Sequence, residues 1–180
     1  MSDIGIYFGT DTGTTRLIAK KLAKKLDAIV TGKTAAKPLN VNRTGVEQFM
    51  AHDSLILGTP TYGINQLPGK STNIAEGSWE EFLPLLEGQD FSGKVVALYG
   101  LGDQEKYSGR FVDSMIHLYR FFSERGAGIV GQTDTDGYSF EFSMAVVEGR
   151  FVGLVLDQQT QPLLSEERMD RWLADIGPQL

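Results

Sequence analysis

Short, almost continuous apolar runs alternate with helix-like segments along this chain, and this alternation limits the possible folds more than any other feature. Strands separated by helices in this way are typical of a parallel sheet covered on both faces. We therefore expect one three-layer α/β domain over residues 1–180, without a linker or an internal repeat. The expected strands are Ile4–Phe8, Leu39–Val41, Ser54–Gly58, Val95–Tyr99 and Gly128–Val130.

Helical spacing of apolar residues, together with capping residues, places the helices between these strands. Ser78 and Glu81 form a capping-box pattern before the third helix, and Pro84 should leave that helix short or kinked. The last strand is expected to continue at Phe151–Leu156, after an insertion of polar and aromatic residues. The expected helices are Thr14–Leu26, Val46–Ala51, Trp79–Leu86, Arg110–Arg125 and a last one capped by Ser165 and stopped at Gly177.

Composition excludes several kinds of function. The chain has no Cys, which excludes disulfides, thiolate metal sites and cysteine nucleophiles, and it has only two His. A net charge of −6 disfavours nucleic acid as a partner. No apolar stretch approaches the roughly 20 residues that span a membrane, and Met1–Asp3 leads straight into a strand without the pattern of a signal peptide. We therefore expect a cytoplasmic protein.

Charge is unevenly distributed along the chain. Residues 1–45 carry eight Lys or Arg and three Asp or Glu, so the negative charge belongs to the remaining residues. Two differently charged, solvated faces would explain this pattern, and so would an acidic docking surface. Acidic residues fall on or beside the loops discussed next, namely Glu76, Glu80, Glu81, Asp103 and Glu105. The basic residues of the first helix and the loop after it lie far from these loops in sequence.

The loop after the first strand is predicted to bind a phosphate group. Ligands of open α/β sheets bind beyond the carboxyl ends of the strands, and Gly9–Thr15 lies at such an end, directly before a helix. Backbone N–H groups, the helix N-terminus and Thr hydroxyls can all donate to phosphate oxygens. No Lys follows Gly13, which favours a phosphate monoester over a triphosphate. A Thr-rich helix cap would also explain this loop taken alone.

Two further loops offer aromatic rings at the same edge of the sheet. Thr59–Pro68 places Tyr62 beside Gly63, and Gly100–Ser108 contains two glycines and Tyr107. Each loop alone is compatible with an ordinary surface turn. Together with the phosphate loop, they indicate a site for a planar ligand that carries a phosphate group.

The three loops resemble those of the flavodoxin family. The family's Thr/Ser-x-Thr-Gly-x-Thr pattern stands here as Thr10–Thr15, its Thr-Pro-Thr-aromatic-Gly loop as Thr59–Gly63, and its Gly-x-Gly-Asp-Gln loop as Gly100–Gln104, followed by Tyr107. Residues 135–138 and 151–154 resemble the long-chain subgroup, in which an insertion splits the last strand. The resemblance implies a flavodoxin-like fold, a five-stranded parallel sheet of order 2-1-3-4-5 with helices on both faces.

The resemblance also implies a low-potential one-electron carrier that binds FMN tightly but non-covalently, without catalytic or metal-binding residues. The backbone at residues 101–103 would bond the polar edge of the flavin, and Tyr62, where many relatives have Trp, and Tyr107 would cover its two faces. The implied phosphate ligands are Thr10, Asp11, Thr12, Gly13, Thr14 and Thr15. The implied ring ligands are Thr59, Pro60, Thr61, Tyr62, Gly63, Leu101, Gly102, Asp103 and Tyr107.

Implied partners are redox proteins that dock on an acidic surface near the flavin edge, with the carrier itself a monomer. Residues 69–77 resemble flavodoxins of nitrogen-fixing organisms, which implies a flavodoxin or ferredoxin reductase as donor and the nitrogenase reductase component as acceptor. The alternative is an FMN-dependent NAD(P)H oxidoreductase, which needs an open pocket above the flavin. A phosphoacceptor signalling domain is disfavoured because Gly9-Thr10 and Gly58-Thr59 stand where it needs acidic residues.

Overall fold

The computed structural model describes residues 3–10 and 13–180. Its main sheet is parallel and has the order β2-β1-β3-β4-β5, which confirms the expected topology. Strands β3 and β4 run two residues further toward their carboxyl ends than predicted, so they reach into the site loops. The strands are β1 Gly5–Phe8, β2 Leu39–Asn40, β3 Ser54–Pro60, β4 Val95–Leu101 and β5 Gly128–Val130.

Helices cover both faces of this sheet. Successive residues of β3 and β4 point to opposite faces, so Leu55 and Leu57 enter one buried cluster and Ile56 enters the other. The first cluster packs against α2, α3 and α4, and the second packs against α1 and α5. The helices are α1 Thr14–Ile29, α2 Val46–Met50, α3 Trp79–Phe82, α4 Met115–Glu124 and α5 Ser165–Ile176. Within residues 3–10 and 13–180, none of them is long and apolar enough to cross a membrane.

The last strand is split, as expected. β5 pairs with the first half of β4, and a second piece, β9 (Leu154–Leu156), pairs in parallel with Tyr99–Leu101. The predicted start of this piece at Phe151 is wrong, because Phe151 belongs to a small antiparallel sheet within the insertion. That sheet has the order β6-β8-β7 and consists of β6 Thr133–Asp134, β7 Val146–Val147 and β8 Arg150–Phe151.

Several helix boundaries also differ from the prediction. α1 runs to Ile29 instead of Leu26, and Ser165 is the first residue of α5 instead of its cap. α4 begins at Met115 instead of Arg110, because Val112 has a positive φ of 50° that breaks helical geometry ahead of it. α3 ends at Phe82 and passes into a 3-10 turn at Leu83–Leu86, the shortening that Pro84 predicts. Glu81 Oε1 accepts a hydrogen bond from the Ser78 N–H at 2.8 Å, which is one half of the predicted capping box.

Gly58 and Tyr99 position the N-terminus of α1 against the sheet. The Tyr99 ring lies directly over Gly58, where a Cβ atom would stand 2.0 Å from Cζ. The Tyr99 hydroxyl then donates to the Thr15 carbonyl oxygen at 2.9 Å. Burial raises the pKa of Tyr99, so this hydroxyl stays a donor. The missing side chain at residue 58 thus lets a residue of β4 fix the first turn of α1.

Candidate functional site

The carboxyl ends of the central strands surround one cavity of about 470 Å³. This volume lies within the range of small-molecule sites. Ten of the fifteen predicted ligands line it, from all three of the predicted loops. Those ten are Thr14, Thr15, Pro60, Thr61, Tyr62, Gly63, Leu101, Gly102, Asp103 and Tyr107. The structure therefore brings together the phosphate loop and both aromatic loops, which are far apart in sequence.

Three of the other predicted ligands, Gly13, Thr10 and Thr59, do not line this cavity. Gly13 is the N-cap of α1, in a left-handed conformation with φ 87°. Thr10 lines a neighbouring cavity, and the Thr59 hydroxyl donates to the Pro60 carbonyl oxygen at 2.8 Å. Thr59 is thus buried and turned away from the site. Asp11 and Thr12 lie outside the described residues.

The phosphate end of the cavity contains a buried hydroxyl that needs a ligand. Thr15 is fully buried, and its Oγ1 has no hydrogen-bond partner among the described residues. Leaving such a group unpaired costs about 1–3 kcal/mol. The hydroxyl sits in the first turn of α1, where the helix N-terminus favours negative charge. This end of the cavity therefore suits an anionic ligand with acceptor oxygens.

The Tyr62 loop, defined here as Thr61–Gln66, forms one wall. Tyr62 and Gln66 exchange two backbone hydrogen bonds, 3.2 Å from Tyr62 N to Gln66 O and 3.0 Å from Gln66 N to Tyr62 O. Gly63 and Asn65 both have positive φ, 54° and 62°. Both residue types adopt this left-handed conformation more readily than others. The Tyr62 ring is thus carried on a tight turn at the cavity.

The opposite wall carries Tyr107, with two cations beside its ring. Tyr107 is 39% exposed, so one side of it faces solvent. The Lys106 ammonium lies 5.4 Å and the Arg110 guanidinium 5.1 Å from its centroid. Arg110 also lines the cavity. A flavin bound beside Tyr107 would therefore have positive charge near it, a feature that was not predicted from the sequence.

Several backbone N–H groups of the loop after β4 already donate hydrogen bonds within the protein. The Gly102 N–H donates to Leu156 O at 3.2 Å, so within the predicted stretch 101–103 this donor is already paired inside the protein. The Asp103 carboxylate accepts from the N–H groups of Glu105 and Lys106, at 3.1 and 2.9 Å. The Asp103 N–H has no hydrogen-bond partner among the described residues and is a candidate donor to a ligand.

A buried carboxylate after β9 holds this loop in place. Asp157 is fully buried and accepts hydrogen bonds from Gln104 N at 3.0 Å and Gln104 Nε2 at 2.8 Å. Its other oxygen accepts from the N–H groups of Gln159 and Thr160, at 3.1 and 2.8 Å. Burial disfavours the charged form, but these hydrogen bonds outweigh it and hold the pKa of Asp157 below its usual range.

Sequence reasoning missed four residues that line the cavity, which are Arg110, Val112, Gln158 and Gln159. Gln158 and Gln159 follow β9, so the rule that ligands bind beyond strand carboxyl ends would have found them. The predicted site loops follow β1, β3 and β4 only. Val112 carried no sequence signal, because its placement depends on an unusual φ for a β-branched residue.

Glu80 and Glu81, two of the acidic residues close to the site loops in sequence, bind the loop that precedes α3. Glu80 Oε2 accepts from the backbone and hydroxyl of Ser71, at 3.1 and 2.7 Å, and Glu81 accepts from Lys70 N at 3.2 Å. These two carboxylates therefore hold a loop together. Lys20 and Lys37, two of the basic residues of the first helix and the loop after it, line the same cavity as Thr10. Thr10 shares its cavity of about 490 Å³ with four cations, Arg16, Lys20, Lys37 and Arg43.

Both histidines make polar contacts within the protein. His52 lies between the Asp3 carbonyl oxygen and the Tyr7 hydroxyl, 2.9 Å from each. His117 Nε2 lies 2.5 Å from the Asn65 carbonyl oxygen, behind the Tyr62 loop. In the described part of the chain, no group of three or more His, Asp or Glu side chains could hold a metal ion.

The chain is similar to flavodoxins over almost its whole length. The flavodoxin family pattern matches residues 6–172. A flavodoxin of Enterobacter agglomerans is 48% identical over 179 residues, 99% of this chain and 98% of the relative. One of Klebsiella pneumoniae is 47% identical over 176 residues, 98% of this chain and 97% of the relative.

A solved structure supports the same relationship at the level of the fold. The structure of Fusobacterium nucleatum flavodoxin bound to flavin mononucleotide superimposes with a TM-score of 0.86 at 34% identity. The match covers 100% of this chain and 99% of that one. With the family pattern, the two relatives and the sheet order all in agreement, this chain belongs to the flavodoxin family.

Proposed function

We propose that this protein is a low-potential one-electron carrier that holds one FMN non-covalently in the cavity between Tyr62 and Tyr107. Membership of the flavodoxin family makes it an electron-transfer protein rather than an enzyme. The relative from Fusobacterium nucleatum binds flavin mononucleotide. The flavin would supply the one-electron chemistry, and the chain would bind it, orient it and limit its contact with water.

The observation that carries this proposal is the unpartnered Thr15 hydroxyl in the first turn of α1. A phosphate monoester supplies acceptor oxygens for this hydroxyl and for the backbone donors of the same turn. The proposed phosphate ligands are Thr10, Asp11, Thr12, Gly13, Thr14 and Thr15. Their side chains carry no positive charge, so the helix N-terminus supplies the electrostatic attraction.

Two aromatic rings at the other end of the cavity suit the isoalloxazine. Tyr62 and Tyr107 both line this space, and each ring would add about 0.5–1.5 kcal/mol beyond the apolar area it covers. The Asp103 N–H is the proposed donor to the polar edge of the ring system, and Asp157 would hold that loop through Gln104. Thr59, which faces away, would act by shaping the Pro60 turn.

The proposed low potential follows from the charge of the protein. A net charge of −6 disfavours additional negative charge on the reduced flavin. Arg110 and Lys106 oppose this effect locally, since both lie beside the Tyr107 ring. The balance between the net negative charge and these two cations should set the reduction potential of the second one-electron step.

Redox proteins are the proposed partners of this single-domain, monomeric, cytoplasmic carrier of residues 1–180. A flavodoxin or ferredoxin reductase would donate electrons, and the nitrogenase reductase component would accept them. Asp103 and Glu105 beside Tyr107 would contribute to an acidic docking surface near the flavin edge. Steering by such a surface weakens as ionic strength rises, because charges are screened beyond about 8–10 Å at physiological salt.

Titration of the apoprotein with FMN and with riboflavin tests the proposed site. Wild type should bind one FMN and bind riboflavin more weakly, since riboflavin lacks the phosphate. Thr15→Val should weaken FMN binding about tenfold or more, the value of one hydrogen bond to a charged group, and should leave riboflavin binding nearly unchanged. Thr31→Val, on an exposed loop, is the control. Equal losses for both ligands would show that Thr15 does not contact the phosphate.

A further inference from the structure

The N-terminal end of α4 contacts the Tyr62 loop through Ser114 and His117, neither of which lines the ligand cavity. Ser114 and His117 both donate to backbone carbonyls of this loop. We propose that they are positioning residues, which fix the loop and thereby hold Tyr62 in place for the flavin. This inference rests on the proposed function, because it assigns the Tyr62 loop to flavin binding.

The Tyr62 loop needs such support because its own bonds close only its two ends. Tyr62 and Gln66 pair with each other, and between them lie two residues with positive φ, Gly63 and Asn65. Conformations of this kind persist where surrounding groups hold them. Ile64, at the tip, is 71% exposed and contributes little packing. Contacts from other parts of the protein must therefore hold the turn in this conformation.

Three contacts from α4 supply this support. The Ser114 hydroxyl donates to the Gln66 carbonyl oxygen, and the Ser114 N–H donates to Thr61 Oγ1 at 3.2 Å. His117 Nε2 lies 2.5 Å from the Asn65 carbonyl oxygen. A carbonyl oxygen only accepts, so Nε2 must carry the proton. Both ends of the loop and one of its two left-handed residues, Asn65, are thus bound to one helix.

These contacts are not the ones expected if Ser114 served the helix alone. A Ser at a helix N-terminus normally caps it by accepting from a backbone N–H of the first turn. Ser114 makes no such cap, and its fully buried hydroxyl points to the loop instead. The geometry thus favours fixing of the loop over capping of the helix.

The start of α4 is itself held rigidly by the rest of the protein. Gly100 lets Met115 lie against β4, since a Cβ atom at residue 100 would stand 2.3 Å from Met115 Sδ. The inserted segment also binds this turn, because the Met144 N–H donates to Asp113 Oδ1 at 2.7 Å. The helix start thus has a position that does not depend on the Tyr62 loop, as a positioning element requires.

Variants at His117 and Ser114 test the proposal. His117→Phe keeps a ring but loses the donor, whereas His117→Gln keeps an N–H donor of similar reach. Amide hydrogen exchange of residues 61–67 in the apoprotein, FMN affinity and thermal unfolding should be measured for each. His52→Gln, which changes the other histidine, is the control.

We expect His117→Phe and Ser114→Ala to speed exchange at Tyr62 and Gln66 and to weaken FMN binding about fivefold each, the effect of one ordinary hydrogen bond. His117→Gln should restore both properties. Unchanged exchange in both variants would overturn the proposal, as would faster exchange spread evenly over the chain. If wild type bound no FMN, the proposed function would fail, and the exchange data would still decide whether α4 fixes the loop.

Discussion

Asp157→Asn should destabilise the fold and loosen the loop beside the cavity. Asp157 is fully buried, and both of its carboxylate oxygens only accept hydrogen bonds. Oδ2 accepts from the backbone and side-chain N–H groups of Gln104 and from the Thr160 hydroxyl. Oδ1 accepts from the backbone N–H groups of Gln159 and Thr160. An Asn must direct its NH₂ group at one of these sets. In the less costly arrangement the NH₂ group faces the backbone N–H of Gln104. Two donors then face each other, and the backbone N–H cannot rotate away.

The size of the effect follows from this mismatch. One buried backbone donor left unpaired costs about 1–3 kcal/mol, and the remaining hydrogen bonds lose the strengthening that a charged acceptor gives. We expect a fall of about 3 kcal/mol in the free energy of unfolding. For a chain of this length, about 2–4 °C per kcal/mol gives a fall in Tm of roughly 6–12 °C.

The effect should also depend on pH in a defined direction. Hydrogen bonds hold the pKa of Asp157 below its usual range in the folded state, whereas the unfolded value is about 3.9. A carboxylate of this kind stabilises the fold fully above its unfolded pKa, and this stabilisation is lost as pH falls through the folded pKa. The difference between wild type and variant should therefore be largest near pH 7 and shrink below about pH 4.

Urea unfolding of the apoprotein at pH 7 and at pH 3.5 measures both effects. Asp134→Asn, which removes an exposed carboxylate paired with Arg150, is the control and should leave the midpoint close to that of wild type. An Asp157→Asn variant that matched wild type within about 0.5 kcal/mol at pH 7 would refute the account of this carboxylate. A difference that did not change with pH would refute the part assigned to its charge.

Two further predictions concern packing and the aromatic walls. Gly58→Ala should destabilise the protein by about 1–3 kcal/mol in urea unfolding, because the new Cβ would stand 2.0 Å from Tyr99 Cζ. Gly88→Ala is the control, since a Cβ atom there would have no atom within 4 Å. Equal unfolding midpoints for the two variants would contradict this packing. Tyr62→Ala and Tyr107→Ala should each weaken FMN binding about two- to tenfold in apoprotein titrations, since each loses a ring contact. Unchanged affinity in both would show that neither ring faces the flavin.

The sheet order and the meeting of the three loops could be predicted from the sequence because each depends on local patterns. Apolar runs indicate strands, and the rule for strand carboxyl ends brings Thr15, Tyr62 and Tyr107 to one edge before any contact is known. Pro84 likewise predicts the early end of α3, because its ring is incompatible with a helix interior. These inferences need no knowledge of the distances between segments.

The supports of the site could not be predicted, because each joins segments distant in sequence. Asp157 and Gln104 are 53 residues apart, and Ser114 and Gln66 are 48 apart. Such contacts depend on how β9 and α4 pack against β4. The positive φ of Val112 is set by the same packing and runs against the preference of a β-branched residue. Local propensity therefore gave α4 a start five residues too early.

The flavin that the apoprotein retains decides whether the cavity is an FMN site. The apoprotein would be mixed with equal excesses of FMN and FAD and freed of unbound flavin, and the retained chromophore would be identified by mass and quantified per chain. The account predicts FMN at about one per chain, because the cavity of about 470 Å³ has one phosphate end, at the first turn of α1. Retention of FAD, or of neither flavin, would contradict it.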